Sequence, residues 1–411
     1  MSARPAILTP SLDLLCVGGL SILLLFPLAF VSPVWVDDYL LEWIVIGTVV
    51  INFPHIMGSY RLLYSSSELV KRHPWAAIRI PLLLGMACLG ALVLAARGVS
   101  VVPVTALHLA SVGYLAVHYV GQTWGMMMSF AQVEGVPFSD EERRPLLWSL
   151  RFILAWHLSW VATHFLPVAR DSEAVDFIYE TMTAGIPMSM AVGAYVLVQH
   201  AQRHGRKTPL RILVPWLANH VWYLLMAMIP AAAPAVQVAH ALQYLPFVAR
   251  VEMNRADAEA AEDVVRWARR KAMAYIAAGA LCFFILPHWM NPRRLPLWVE
   301  LEPATVALVA LPLFVLLLVM SRRGGGAAMP VHLLSLAVVL LVAGGLAFWF
   351  LAPAAGLLAV EALGVNESML RTGTTVGAFL GLHHYITDGV LWKLREPHVR
   401  KQLFAHLAPG S

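Results

Sequence analysis

The sequence predicts an all-α protein, a polytopic transmembrane bundle of about twelve helices with both termini in the cytoplasm. Of its 411 residues, 59% are hydrophobic and only 13% are charged, whereas a soluble globular chain is about 45–50% apolar and about 25% charged. The mean hydropathy is +0.70, and apolar runs recur along the whole chain. These observations favour one integral membrane domain, residues 1–411, over a series of soluble domains.

Each predicted span is an apolar run of about 20 residues, the length that crosses a bilayer as a helix. The runs lie at residues 11–31, 39–61, 76–97, 101–126, 146–168, 179–199, 210–231, 233–250, 271–289, 303–321, 330–352 and 368–392.

The loops between these runs alternate in charge. Arg203 and Arg206 lie in a basic loop, whereas Asp171 and Glu173 lie in the acidic loop before it. Because basic loops stay in the cytoplasm, this alternation predicts the orientation of every span, in a membrane of the bacterial inner-membrane type. The polar segment 251–270 alternates Ala with acidic and basic residues, which predicts an amphipathic cytoplasmic linker helix.

The cysteines exclude a disulfide framework or a CxxC metal site, and the basic residues exclude a nucleic-acid-binding surface. The chain has three cysteines, Cys16, Cys88 and Cys282, and all lie in apolar runs without the spacing of a disulfide framework or a CxxC metal site. The net charge of +5 is spread over loops and forms no dense basic patch. A nucleic-acid partner is therefore not expected, and the predicted surroundings are the lipid bilayer.

Sixteen histidines are present, and several lie within predicted spans, where ionisable groups are costly and usually functional. At about 1.5 Å of rise per residue, His220, His240 and His384 all lie roughly 13–15 Å from the cytoplasmic boundary. His383 is adjacent, and His118 lies at a similar depth. Several imidazoles from different helices are therefore predicted to converge in one layer of the bundle.

Other histidines differ in depth or position. His55 and His157 lie roughly 9 Å from the boundary by the same measure, and His164 lies too far outward to join the layer. His200 falls at a predicted loop position, where a histidine has no special role.

Three of the histidines in this layer have a polar companion four residues away on the same helix face. The pairs are His118 with Gln122, His240 with Tyr244, and His384 with Asp388. A metal-bound imidazole usually donates its other N–H to such an acceptor, so each pair suits a ligand with a supporting partner. The alternative is that these histidines only hydrogen-bond across helices.

We therefore predict a metal site in the cytoplasmic half of the bilayer. The predicted ligands are His118, His220, His240, His383, His384 and Gln122. Asp388 is predicted as a ligand or supporting catalytic group, His55 as a peripheral ligand or proton donor, and Tyr244 as a further catalytic candidate. Neutral imidazole suits zinc, copper, iron and nickel, and mixed histidine and carboxylate ligation suggests non-haem iron, with one or two ions.

The HxxxQ, HxxQY and HHxxxD elements at 118–122, 240–244 and 383–388 resemble those of the integral membrane non-haem iron oxygenases. These include the membrane desaturases and hydroxylases and the bacterial membrane carotene dioxygenases. The resemblance implies iron held by intramembrane histidines, oxidation of a lipophilic small molecule by O2, and an electron-donor protein as partner. The HxxxH and HxxHH boxes of the desaturases are absent from this sequence.

Two other functions remain open from the sequence. The His383–His384 pair and the His240–Tyr244 element are similar to those of haem–copper oxidases, which would imply haem or copper, although the order of the motifs differs. Buried protonatable groups on about twelve helices also suit a proton-coupled or metal-ion transporter. The sequence shows no matching halves of the kind that many transporters have.

Overall fold

The computed structural model describes residues 6–30, 51–64, 67–166, 169, 172–259, 367–393 and 396–407. Within these ranges the secondary structure is helical, without strands, and the all-α prediction is confirmed for them. The α-helices are α1 (Pro10–Leu14), α2 (Leu20–Leu25), α3 (Phe53–Tyr64), α4 (Ser67–Arg72), α5 (Ile80–Ala96), α6 (Val102–Val133), α7 (Asp140–Phe165), α8 (Glu173–Arg203), α9 (Leu210–Met228), α10 (Ala233–Glu259), α11 (Glu367–Leu391) and α12 (Pro397–Phe404).

Three of the described helices are long and apolar enough to cross a membrane: Trp75–Ala96, which includes α5, and helices α6 and α8. The sequence predicts about twelve spans, and three of the described helices have the length and composition of a span. The runs predicted at 271–289, 303–321 and 330–352 lie outside the described residues, as does Cys282.

Of these three described helices, the one that includes α5 is the most apolar. Only 17% of its most apolar stretch is buried within the protein, and Leu82, Met86 and Leu89 are all more than 60% exposed. Water-soluble proteins rarely expose large contiguous apolar surfaces. Lipid chains would cover such a surface at no cost, so the exposed side of α5 is what a membrane helix requires.

The predicted linker helix 251–270 differs from the observed element. Residues 251–259 continue α10 without a break, and 260–270 lie outside the described residues. The sequence explains the continuation, because residues 251–259 contain no Gly or Pro to end the helix and are mostly good helix formers.

The described residues belong to two compact units, each assembled from separate stretches of chain. The first comprises stretches within 1–40, 109–250 and 388–411, and the second comprises stretches within 41–108 and 251–387.

In the first unit, α7, α8 and α9 pack through small residues and buried hydrogen bonds. The Ser189 hydroxyl of α8 donates to the Ser149 carbonyl of α7 at 2.7 Å. A Cβ at Gly193 would lie 2.5 Å from the indole nitrogen of Trp216. Only glycine therefore allows α8 to approach α9 this closely.

In the second unit, α3 is held at several points. The Tyr60 hydroxyl donates to the Leu380 carbonyl of α11 at 3.2 Å, and the Tyr64 hydroxyl donates to the Ala77 carbonyl at 2.7 Å. Arg61 forms a two-point ion pair with Glu252, at 3.1 and 3.2 Å. The Tyr60 contact holds α3 against α11, the helix that carries His383 and His384.

Helix α7 begins with a capping box. The Ser139 hydroxyl accepts a hydrogen bond from the Glu142 amide, and the Glu142 carboxylate accepts one from the Ser139 amide. The same carboxylate accepts two hydrogen bonds from Arg203, at 2.8 and 2.7 Å. Burial alone would raise the pKa of Glu142, but the hydrogen bonds from Arg203 and Ser139 outweigh it and lower the pKa below its ordinary value.

Replacing this carboxylate, as in Glu142→Gln, should lower the free energy of unfolding by roughly 1–2 kcal/mol at neutral pH. Because folding lowers the pKa, the stabilisation is complete above the ordinary glutamate pKa and is lost as the pH falls through the folded-state value. Thermal unfolding between pH 8 and pH 3 should therefore show the wild type and the variant converging only at the acid end. The control is Asp140→Asn, since Asp140 pairs with Arg143 at an exposed position. A Glu142→Gln effect as small as that of the control would contradict the prediction.

Candidate metal centre

Helix α11 carries three of the residues singled out by the sequence, His383, His384 and Asp388. Adjacent residues leave a helix about 100° apart, so the two histidines point in different directions. His384 and Asp388 are four residues apart and share one face. The helix therefore separates the histidine pair and groups its second member with the carboxylate.

In the second unit, His384 meets His55. Their Nε2 atoms are 2.8 Å apart, and the rings lie edge to face with centroids 4.4 Å apart. His55 is in the first turn of α3, directly after Pro54, a residue that is tolerated at a helix start. Both imidazoles are about 1% exposed, so each ring is held in a protein interior with a nitrogen directed at the other.

In the first unit, Asp388 is oriented by hydrogen bonding. The Tyr244 hydroxyl donates to Asp388 Oδ1 at 3.0 Å, and the Trp392 indole N–H donates to the Tyr244 oxygen at 2.8 Å. The other carboxylate oxygen, Oδ2, lies 3.9 Å from His118 Nε2. The relay from Trp392 through Tyr244 thus fixes one oxygen and leaves the second beside an imidazole.

Four buried side chains are of the kind that could hold a metal ion: His55 and His384 in the second unit, and His118 and Asp388 in the first. Buried ionisable groups are normally paired or coordinate a metal. Imidazole and carboxylate are both ligands that proteins use for transition metals. These residue types are therefore compatible with metal binding.

His240 and Gln122 lie near His118 in the first unit. The Gln122 side-chain N–H donates to the His240 backbone carbonyl at 3.0 Å. The His240 ring packs against Tyr119 and His118, with centroids 4.0 and 4.8 Å away. The His240 side chain of α10 therefore packs against the His118 ring and limits its position.

Two other predicted ligands, His220 and His383, are not brought to this group. In His220, Nδ1 lies 2.9 Å from the Trp216 carbonyl oxygen and Nε2 lies 3.2 Å from the Ser189 hydroxyl. In His383, Nε2 lies 2.9 Å from the Ala76 carbonyl oxygen, and the ring stacks on Tyr60. These histidines hold neighbouring helices together through hydrogen bonds.

Sequence reasoning missed His200. Its predicted loop position was wrong, because residue 200 lies within α8 and is buried. The ring packs against Phe138 with centroids 4.3 Å apart, and Nε2 lies 3.0 Å from the Val136 carbonyl oxygen. The apolar run predicted the span only to residue 199, and helix α8 continues four residues further.

Sequence reasoning also missed a buried ionic cluster in the first unit. Arg211 Nη1 lies 3.2 Å from Asp13, and Arg211 Nη2 contacts Glu134. Asp13 is a lone acidic residue within the first apolar run, and that isolation was the available signal.

Comparisons with known proteins add no relative: no family model matches the chain, and no curated protein or solved structure is significantly similar to it.

Proposed function

We propose that this protein is a membrane-embedded, metal-dependent oxidoreductase, a non-haem iron oxygenase that acts on a lipophilic substrate. The observation that supports this proposal is two buried pairs of potential ligands, His55 with His384 in the second unit and His118 with Asp388 in the first. In this proposal these side chains bind iron. The fuller architecture, about twelve spans in a bacterial inner membrane with both termini in the cytoplasm, is part of the same proposal.

The ligand types favour iron over structural zinc. Structural zinc sites in proteins are dominated by cysteine, alone or with histidine, and this group contains no cysteine. Imidazole combined with carboxylate is the ligand set of non-haem iron oxygenases.

The geometry of His55 and His384 argues against a haem held between them. Two imidazoles on opposite faces of one haem iron would have their ligating nitrogens about 4 Å apart, if each bond is about 2.0 Å long as for other histidine–metal bonds. The observed separation is 2.8 Å. Two imidazole nitrogens bound side by side on one ion would be roughly 2.8–3.3 Å apart by the same bond length, a range that includes the observed value.

Bound iron would supply the activation of O2, and the protein would supply position and environment. Tyr244 and Trp392 hold the Asp388 carboxylate in one orientation. Packing against His240 positions the His118 ring. The exposed apolar side of α5 is compatible with substrate that reaches the protein from the bilayer, and an electron-donor protein would act from the cytoplasm.

The direct test is elemental analysis and an absorption spectrum of protein purified in detergent without chelator. We expect about one iron per chain and no Soret band. A Soret band would replace this proposal with the haem alternative. Protein without stoichiometric metal would overturn the metal proposal and favour a transporter in which the histidines are hydrogen-bonded.

Tyr244→Phe tests the orientation of the carboxylate. The variant keeps the ring and removes the hydroxyl that donates to Asp388. Loss of a residue that supports a ligand typically weakens metal binding by about 10–100-fold, and we expect a decrease of that size in iron affinity, measured by competition with a chelator. Tyr64→Phe is the matched control, because its hydroxyl binds the Ala77 carbonyl. Equal iron affinity in the two variants would show that Tyr244 does not act on the site.

A further inference from the structure

A second set of buried polar groups lies in the first unit, on α7 and α9. Asn219 and Tyr223 are fully buried, His157 is 1% exposed and Trp160 is 5% exposed. The Asn219 amide, the Tyr223 hydroxyl, His157 Nδ1 and the Trp160 indole N–H have no hydrogen-bond partner among the described residues. Buried polar groups in native proteins are almost always paired with protein or ordered water, so each of these four needs a partner.

The helices place these groups close to one another. Asn219 and Tyr223 are four residues apart and share one face of α9. The Tyr223 ring lies edge to face with His157, with centroids 5.7 Å apart. The His157 and Trp160 rings on α7 are 5.4 Å apart. The four residues therefore lie along the contact of α7 with α9.

Their hydrogen-bonding needs are mixed. His157 Nε2 lies 3.0 Å from the Val112 carbonyl oxygen. A carbonyl only accepts, so this nitrogen carries the proton, and in the neutral ring Nδ1 is an acceptor. The Trp160 N–H is a donor only, whereas the Asn219 amide and the Tyr223 hydroxyl both donate and accept. Water is the smallest molecule that both donates and accepts and so meets all these needs.

We propose that α7 and α9 enclose an internal hydration site, in which ordered water binds Asn219, Tyr223, His157 and Trp160. This site shares no residue with the group that contains His384, and it does not depend on the function proposed above.

The chain contains matched controls for this proposal. Trp156 and Trp222 are also fully buried, but their indole N–H groups donate to Thr183 Oγ1 at 2.8 Å and to Ser21 Oγ at 3.0 Å. They have the same chemistry as Trp160, which is 5% exposed, and their N–H groups already have protein partners.

Hydroxyl-radical footprinting by X-ray radiolysis tests the proposal on the full-length protein in detergent, since bound water produces radicals beside buried residues. We expect Trp160 to be modified several times faster than Trp156 and Trp222, and Tyr223 to be modified although it is fully buried. Trp160 modified no faster than the two controls would overturn the proposal.

Asn219→Leu provides a second measurement. Replacing an unpartnered amide by an apolar side chain of similar shape stabilises a dry site, whereas it destabilises a site whose water loses a partner. We expect a lower Tm and slower modification of Tyr223 in the variant. A raised Tm would show that the site is dry and would overturn the proposal. The wild-type footprint remains decisive if the variant does not fold.

Discussion

Replacing His384 by glutamine is expected to remove most of the bound metal, whereas the same change at His383 is expected to leave it in place. His384 Nε2 faces His55 within the group of potential ligands, and His383 Nε2 faces the Ala76 backbone. Loss of a residue that only supports a ligand weakens binding by about 10–100-fold, so loss of a ligand should exceed that range.

The two variants form a close internal comparison, because they change the same residue type at adjacent positions of α11. Glutamine can still donate to the Ala76 carbonyl, so His383→Gln should preserve the fold. Metal content after dialysis against a weak chelator should be near zero for His384→Gln and near the wild-type value for His383→Gln. Equal loss from both, or from neither, would reject His384 as a ligand.

His55→Gln extends this test to the partner of His384. It should lose metal as His384→Gln does, since both imidazoles belong to the proposed donor set. His220→Gln should retain metal, because Trp216 and Ser189 occupy the two His220 nitrogens. Metal loss from His220→Gln with an unchanged Tm would restore the ligand assignment that the sequence suggested.

The sequence predicts how deep these histidines lie along their helices, but not the direction in which their side chains point. Helical rise places His220, His240 and His384 at a similar distance along the bundle axis. Whether their side chains meet depends on how each helix is rotated about its own axis, which tertiary packing decides. His220 turns towards Ser189, whereas His384 turns towards His55.

Short-range spacing was more informative than depth. The four-residue spacing of His384 and Asp388 predicted a shared face, and both belong to the group of potential ligands. The spacing of His240 and Tyr244 likewise put the two on one helix, but they act on different partners: Tyr244 binds Asp388, while His240 packs on Tyr119. The contact of His55 with His384 joins positions 329 residues apart, and no local pattern predicts it.

The largest effect on stability is expected at Asp13, which is fully buried. Its carboxylate accepts hydrogen bonds from the amides of Ile7 and Leu8, at 2.8 and 2.9 Å, and pairs with Arg211 at 3.2 Å. Breaking a buried ion pair typically costs about 3–5 kcal/mol. Asp13→Ala also leaves the amides of Ile7 and Leu8 without their acceptor, while Arg211 keeps its contact with Glu134. Asp13→Ala should lower the free energy of unfolding by that amount, measured by denaturant titration in detergent.

Glu68→Gln is the control for Asp13→Ala, because Glu68 forms an exposed pair with Arg72, and exposed pairs contribute about 1 kcal/mol or less. The double variant Asp13→Leu with Arg211→Met separates charge from packing. It removes the buried charge along with its partner and replaces both with apolar side chains, so it should be more stable than Asp13→Ala. A double variant less stable than Asp13→Ala would mean that Arg211 stabilises the fold mainly through Glu134, because that contact survives in the single variant.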